Sequence, residues 1–258
     1  MSRLSQGPDP VSAVFDRYAA DYAERFNRNP LAMRQRERVH LLLARHVPRG
    51  ATVLDAGCGP GSDFAFYRDQ NFRVTAIDPS REMVAAARRA AELAGLPALL
   101  HVCGALDYRA PETFDAIVLN FGVLNAVADP AAVLDHLAGA LHPQGRLIAT
   151  VMPPLHAWHL AGLLLRGRGG AARDRLAGRG ETREGMTFRY LRRRDFGARL
   201  RVAERHHLGW LLPTPEQHAR RRIARVWTTL ADPIDRGLAG MVPEWAGGDH
   251  VCYVMAPH

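Results

Sequence analysis

Three glycines in five residues, Gly57, Gly59 and Gly61, follow the apolar run Val53-Leu54, with the acid Asp55 set two residues before the first glycine. A backbone almost free of side chains, opening a helix at the end of a strand, lets a ligand reach peptide N–H groups, which is how nucleotide-type ligands are held. The dinucleotide fingerprint requires Gly or Ala at the third fingerprint position, where this chain has Ser62, and it would set Asp55 beside a pyrophosphate. A carboxylate there suits a cation better, such as an α-ammonium group or the water bound to one. A second acid, Asp78, ends the next β-rich run, where a carboxylate can hold the two hydroxyls of a ribose. These residues therefore ask for a ligand with a ribose, an adenine-like ring and a cationic amino-acid tail. S-adenosylmethionine has all three.

Such residues need strand ends to hold them, and the chain supplies these. Short β-rich runs at Thr52–Asp55, Arg73–Asp78, Ala98–Cys103, Phe114–Asn120 and Arg146–Met152 alternate with helical patterns near 62–70, 80–94 and 129–141. That alternation predicts βαβ units and a parallel sheet with right-handed crossovers. "LHPQGRL" (141–147) reads as a helix end, a turn and a strand start. Two helical patterns broken at Asn29-Pro30 precede this core. After Met152 the rhythm changes: a helical stretch punctuated by Gly and Arg over 153–180, a short "MTFRY" strand, a helix from Arg193 to Leu200, and a late strand in "VAERHHLGWLLP". A helix over 215–237 and a closing strand "DHVCYVMA" complete the chain. The expected organisation is a disordered leader over 1–10 and one domain over 11–258. Within it lie lid helices (11–47), a cofactor-binding core (51–152), a substrate-side insert (153–200) and the C-terminal part of the sheet (201–258). The leading helices and the 153–180 insert are expected over the acceptor pocket.

The motifs, in their order and spacing, resemble class I S-adenosylmethionine-dependent methyltransferases, and the resemblance runs from about Phe15 to the end. "VLDAGCGPG" is similar to the family's first motif, and "VTAIDPSREMVAAAR" to its second, with Asp78 as the ribose acid. "GALDY" resembles the acidic loop beside adenine, and "FDAIVLNFGVLNAVADP" the strand and loop under the methionine moiety. "LHPQGRLIATV" matches the fifth-strand entry, although Gln144 stands where a second glycine is common. The resemblance implies an α/β, Rossmann-like fold with a seven-stranded, mostly parallel sheet and helices on both faces. It implies S-adenosyl-L-methionine as cofactor, held by Tyr22, Asp55, Gly57, Cys58, Gly59, Gly61, Asp78, Pro79, Met83, Leu106, Asp107, Asn120 and Phe121. Tyr18 and Tyr22 both lie on the leading helical pattern, and the resemblance favours Tyr22, because in the family an aromatic ring from that helix often closes over the cofactor, where a ring face can attract a sulfonium.

Methyl transfer is an in-line displacement that needs alignment more than acid–base chemistry, so no general base is obligatory. His156 and His159, after the fifth strand, are the candidate bases because a histidine titrates near neutrality. The weighed alternatives are an RNA methyltransferase and a non-catalytic cofactor-binding module. "NFGV" lacks the prolines of the amine-gripping Asn/Asp-Pro-Pro-aromatic motif, which argues against a nucleobase amine. All 34 basic residues are Arg, and the net charge of +8 is concentrated: 166–225 holds 17 Arg against six acids. That segment is the main support for nucleic acid. The expected partner is a small-molecule acceptor, in the manner of stand-alone bacterial methyltransferases of secondary metabolism, and not nucleic acid. No apolar run approaches the ~18 residues of a membrane span. "MSRLSQGPDPVSAVF" has no signal-peptide core, and three scattered cysteines suit a reducing cytoplasm, so a cytoplasmic location without bound metal is expected.

Overall fold

The computed structural model describes residues 16, 29–182, 185–220 and 222–258; the expected leader, Tyr18 and Tyr22 lie outside them. Helix α1 (Pro30–His46) starts as the sequence directs: the Asn29 side chain accepts the N–H groups of Leu31 and Ala32, and Pro30 opens the first turn. Then follow β1 (Thr52–Ala56), α2 (Phe64–Asp69), β2 (Arg73–Asp78), α3 (Arg81–Ala94), β3 (Ala98–Val102), β4 (Phe114–Leu119), α4 (Val123–Ala126), α5 (Pro130–Ala138) and β5 (Leu141–Val151). Ser80 caps α3 by accepting the Met83 N–H, and Gly95 ends it in the left-handed conformation.

The second half comprises α6 (Ala157–Leu164), α7 (Gly169–Leu176), the hairpin β6 (Arg179–Glu181) and β7 (Thr187–Arg189), β8 (Leu200–Leu208), α8 (Pro215–Arg220), α9 (Arg222–Leu238) and β9 (His250–Pro257). The main sheet runs β3-β2-β1-β4-β5-β9-β8. Strands β1 to β5 pair in parallel, whereas β9 is antiparallel to both β5 and β8. This is the mostly parallel seven-stranded sheet expected.

Val53, Leu54, Ile117, Val118 and Leu119 are fully buried, because helices cover both faces of the central strands. Each such side chain contributes about 1.5–3 kcal/mol by leaving water. One layer joins Val39, Leu43, Phe64 and Tyr67 to the sheet, and the other joins Leu134, Leu137 and Leu191 to the opposite side.

Two expectations change. Strand β5 begins at Leu141, not near Arg146: Phe114 pairs with Leu141 and Ala116 with Arg146, so an irregularity in register absorbs the turn inside the strand. The helix expected over Arg193–Leu200 is a single 3-10 turn, Arg193–Asp195. Asp195 accepts the Arg192 N–H at 2.7 Å and closes the turn on itself. Gly197 packs so tightly on Asp135 that a Cβ there would collide with its carboxylate.

Candidate active site

The carboxyl ends of β1, β2 and β4 open onto one cavity of about 720 Å³, the position at which open α/β sheets bind ligands. Its floor is the turn after β1. Gly57 has φ +83° and a Cβ there would meet the Val123 side chain at 2.5 Å, so the turn against α4 requires glycine. Gly59 has φ +53°, and the space where its Cβ would stand is open. A ligand could approach that backbone closely.

Asp78, at the end of β2, is buried. One oxygen accepts the Gly59 N–H at 3.0 Å and the other the Ser80 N–H at 2.9 Å. Burial raises its carboxyl, and the bonds from Ser80 and Gly59 oppose the rise. The acid is thus locked to the glycine turn while still facing the cavity.

Asp55 is only 2% exposed yet lines the cavity. Its carboxyl is held well above the usual range, first by burial and then by the neighbouring Asp63 charge. Arg36 opposes that rise, but its guanidinium bridges Asp63, at 2.7 Å. A cation in the cavity would supply Asp55 with charge it lacks.

Asp63 lies at the hub of a second group. Arg36 and the His40 ring each reach its Oδ1 at 2.7 Å, and Asn120 donates to Oδ2 at 3.1 Å. Burial works to raise this carboxyl, but Arg36 and His40 overturn that and hold it far below the ordinary range. Thr150 donates to the Asn120 Oδ1 at 3.2 Å, so both ends of the Asn120 amide are occupied within the protein. Phe121 adopts φ +50°, rare for a residue with a Cβ. The Arg36 guanidinium lies 4.8 Å from its ring centroid.

The residues singled out from sequence converge: Asp55, Gly57, Cys58, Gly59, Asp78, Pro79, Met83, Leu106, Asp107, Asn120 and Phe121 all line the cavity. Gly61 does not, and a Cβ there would strike the Phe64 ring at 2.8 Å; its role is to let the turn pack on α2. Tyr22 is outside the described residues. Cys58 is buried and Cys103 half-buried at the cavity edge; both thiols are pushed upward, by burial first.

The two histidines are placed elsewhere. His156 is fully buried, its Nε2 donates to the Leu212 carbonyl at 2.9 Å, and its Nδ1 is 3.8 Å from Asp249. His159 Nδ1 sits 3.3 Å from Arg175, and burial with the Arg175 charge lowers its pKa to about 4. Neither lines the cavity. The chain turns away from the sheet after Val151, and the packing of α6 against 211–212 carries both rings with it.

The cavity also takes in residues that spacing alone did not mark. Arg36 comes from α1, and Asp63 follows the glycine turn. Arg179, Gly180, Thr187, Phe188 and Arg189 come from the β6–β7 hairpin. That hairpin is held over α4 by the Asn125 side chain, which donates to the carbonyls of Arg189 and Met152. Of the insert, this hairpin reaches the cavity and helices α6 and α7 do not. Arg175, in the arginine-rich stretch, is turned inward, donating to the carbonyls of Pro153 and Pro154 and stacking on Tyr190 at 4.0 Å.

Residues 53–145 match the family model described as a methyltransferase domain. The ubiquinone biosynthesis O-methyltransferase of Xylella fastidiosa (strain 9a5c) is 37% identical over 123 residues, 46% of this chain and 50% of that protein. The tRNA 5-carboxymethoxyuridine methyltransferase of Escherichia coli (strain K12) is 34% identical over 144 residues, 51% of this chain and 55% of that protein. The chain thus spans about half the length of these relatives. Among solved structures, the 1,6-didemethyltoxoflavin-N1-methyltransferase of Burkholderia thailandensis superimposes with a TM-score of 0.59 at 16% identity, over 100% of this chain and 93% of that one. Residues 53–145 are therefore a methyltransferase domain, set in a chain that has the class I methyltransferase fold.

Proposed function

We propose that this chain transfers the methyl group of S-adenosylmethionine to a small-molecule acceptor through an oxygen or nitrogen atom. The observation that carries the reading is the convergence of Asp55, Gly59, Asp78 and Asp107 on one cavity. Asp55 is suited to the ammonium of the cofactor, the Gly59 turn to the close approach of its tail, Asp78 to the ribose hydroxyls and Asp107 to the adenine amine. The sulfonium makes the methyl group reactive, and the protein's own residues position the acceptor and exclude water. Alignment of this kind supplies up to about 7–11 kcal/mol. With His156 and His159 turned elsewhere, positioning carries the rate, and an acceptor oxygen or nitrogen passes its proton to solvent or to a group it brings.

The acceptor end of the cavity favours a molecule with an anionic group. Arg179 and Arg189 stand directly opposite each other across the β6–β7 hairpin, and both line the cavity. Like charges in that relation weaken a strand pair. Their partners are Asp174 at 2.7 Å and Asp195 at 3.9 Å, neither of which lines the cavity. A carboxylate or phosphate between the two guanidiniums would offset their repulsion.

The same arginines leave a second reading, methylation of an RNA. It predicts binding to bulk RNA that falls steeply with salt. Calorimetric titration with S-adenosylhomocysteine, followed by methyl-transfer assays on phenolic and amine acids and on bulk RNA, tests both readings. Turnover of a small acid without RNA binding supports the first. Cofactor binding with no turnover of any acceptor would reduce the chain to a binding module.

A further inference from the structure

Strand β9 runs against its neighbours, so its first residue stands at the carboxyl edge of the sheet. Val251 pairs with Val151 at the end of β5, and His250 with Leu208 at the end of β8. The ring of His250 meets that of Phe121 edge-on, with centroids 5.5 Å apart. Phe121 lines the cavity and carries the Arg36 guanidinium at 4.8 Å. The strand order is β2-β1-β4-β5-β9 along this edge, and the acids Asp78 and Asp55 sit on β2 and β1. A ligand held by them and lying across the strand ends points toward β4, and His250 stands just beyond.

Asp249 orients the ring. Its Oδ2 accepts the His250 Nδ1–H at 3.2 Å and the Gln35 side-chain amide at 3.0 Å. Burial works to raise the Asp249 carboxyl, but His250, His156 and Gln35 hold it far below the ordinary range, so it stays ionised. A bond from Nδ1 to a carboxylate fixes the tautomer that leaves Nε2 as acceptor, and the carboxylate stabilises the imidazolium formed on proton uptake. Nε2 has no hydrogen bond to the described residues and is not a buried unpartnered atom, so water reaches it. The charged and titratable neighbours of His250 are otherwise committed. His156, 3.8 Å from the other Asp249 oxygen, is kept neutral by burial. Arg36, on the same Phe121 ring, bridges Asp63, which His40 and Asn120 also hold.

We propose that His250 receives, through solvent, the proton that an acceptor O–H or N–H releases on methylation. This role rests on the methyl-transfer reading and goes beyond it in where the proton ends. As the acceptor atom bonds to the methyl carbon, the carbon–sulfur bond breaks and its electron pair returns to sulfur. The acceptor's proton passes to water, and water passes one to Nε2. The imidazolium, facing ionised Asp249, then releases it to bulk solvent and resets the site. His250 touches Phe121 but does not itself line the cavity, so the proton arrives by water, a route open to a general base.

The test uses the full chain with S-adenosylmethionine and the phenolic or amine acid that it methylates. His250→Gln should lower kcat about a hundredfold, with KM, S-adenosylhomocysteine affinity and melting temperature held. His250→Ala should lose as much and regain about tenfold or more on addition of imidazole, which a packing role would not give. Turnover of His250→Gln at the original rate overturns the proposal alone and leaves methyl transfer standing. A loss that imidazole does not relieve, or that tracks a lower melting temperature or weaker cofactor binding, overturns it too and assigns the ring to packing. Cofactor binding without turnover of these acids removes the small-acceptor reading and this role with it.

Discussion

The carboxylate of Asp78 and the N–H of Gly59 are joined by a 3.0 Å hydrogen bond between the end of β2 and the turn after β1. This contact makes the ribose acid and the glycine turn one unit, so neither can be altered without moving the other. Asp78→Ala is expected to weaken S-adenosylmethionine binding by about 1.5–3 kcal/mol, through lost charge-assisted bonds to the ligand and a loosened turn. Calorimetry checks this, and unchanged affinity would remove Asp78 from the site.

Asp55 gives a pH signature. Its carboxyl is raised by burial and by Asp63, so the unliganded site favours the protonated acid beyond the ordinary carboxylate range. An ammonium bound beside it favours the ionised form and expels the proton. Cofactor affinity should therefore rise as pH rises through the elevated Asp55 pKa. Titrations in buffers of different ionisation enthalpy should show proton release that disappears in Asp55→Asn. Proton uptake on binding would contradict this.

His156 is expected to matter for folding and not for chemistry. Its buried ring bonds to Leu212 and neighbours Asp249, so His156→Ala should cost about 1–3 kcal/mol of stability by stranding those groups. The turnover rate of the folded protein should stay within a few-fold. A hundredfold loss of rate at unchanged melting temperature would restore it as a base.

His159 adds a pH dependence of stability. Its folded pKa of about 4 lies below the roughly 6.5 of an unfolded histidine. The folded state therefore binds this proton less readily, and the contribution, complete above about pH 6.5, is lost as pH falls toward 4. Melting curves across that window should show a decline that His159→Gln reduces.

Arg189→Ala should raise KM for an anionic acceptor roughly tenfold with little change in kcat or in cofactor affinity. An equal effect on a neutral analogue would show that the residue only supports the hairpin.

The parallel core was legible because short β-rich runs such as Phe114–Asn120, alternating with helical patterns, state their structure locally, and the break at Asn29-Pro30 falls where the structure caps α1. The acids and glycines of the cofactor end were legible because chemistry restricts residue type there. Arg36 and Asp63 were not: their pairing joins α1 to the glycine turn, and nothing local in "MRQRERV" marks the arginine that turns inward. The histidines misled for the same reason, since proximity in sequence to β5 says nothing of the rotation that α6 imposes. The short Arg193–Asp195 turn depended on Asp195 and on a glycine packed against a distant helix.

The central claim, that the glycine turn and its acids hold S-adenosylmethionine, is tested most directly by titrating S-adenosylhomocysteine into the intact chain and into Gly59→Val by calorimetry. The Gly59 Cβ position is open space over the turn at φ +53°, so a valine there would strain the turn and fill the ligand's place. The account predicts one site per chain in the original protein and no measurable binding in the variant, with folding intact by melting temperature. Absence of binding to the original chain, or equal affinity in both, would contradict it.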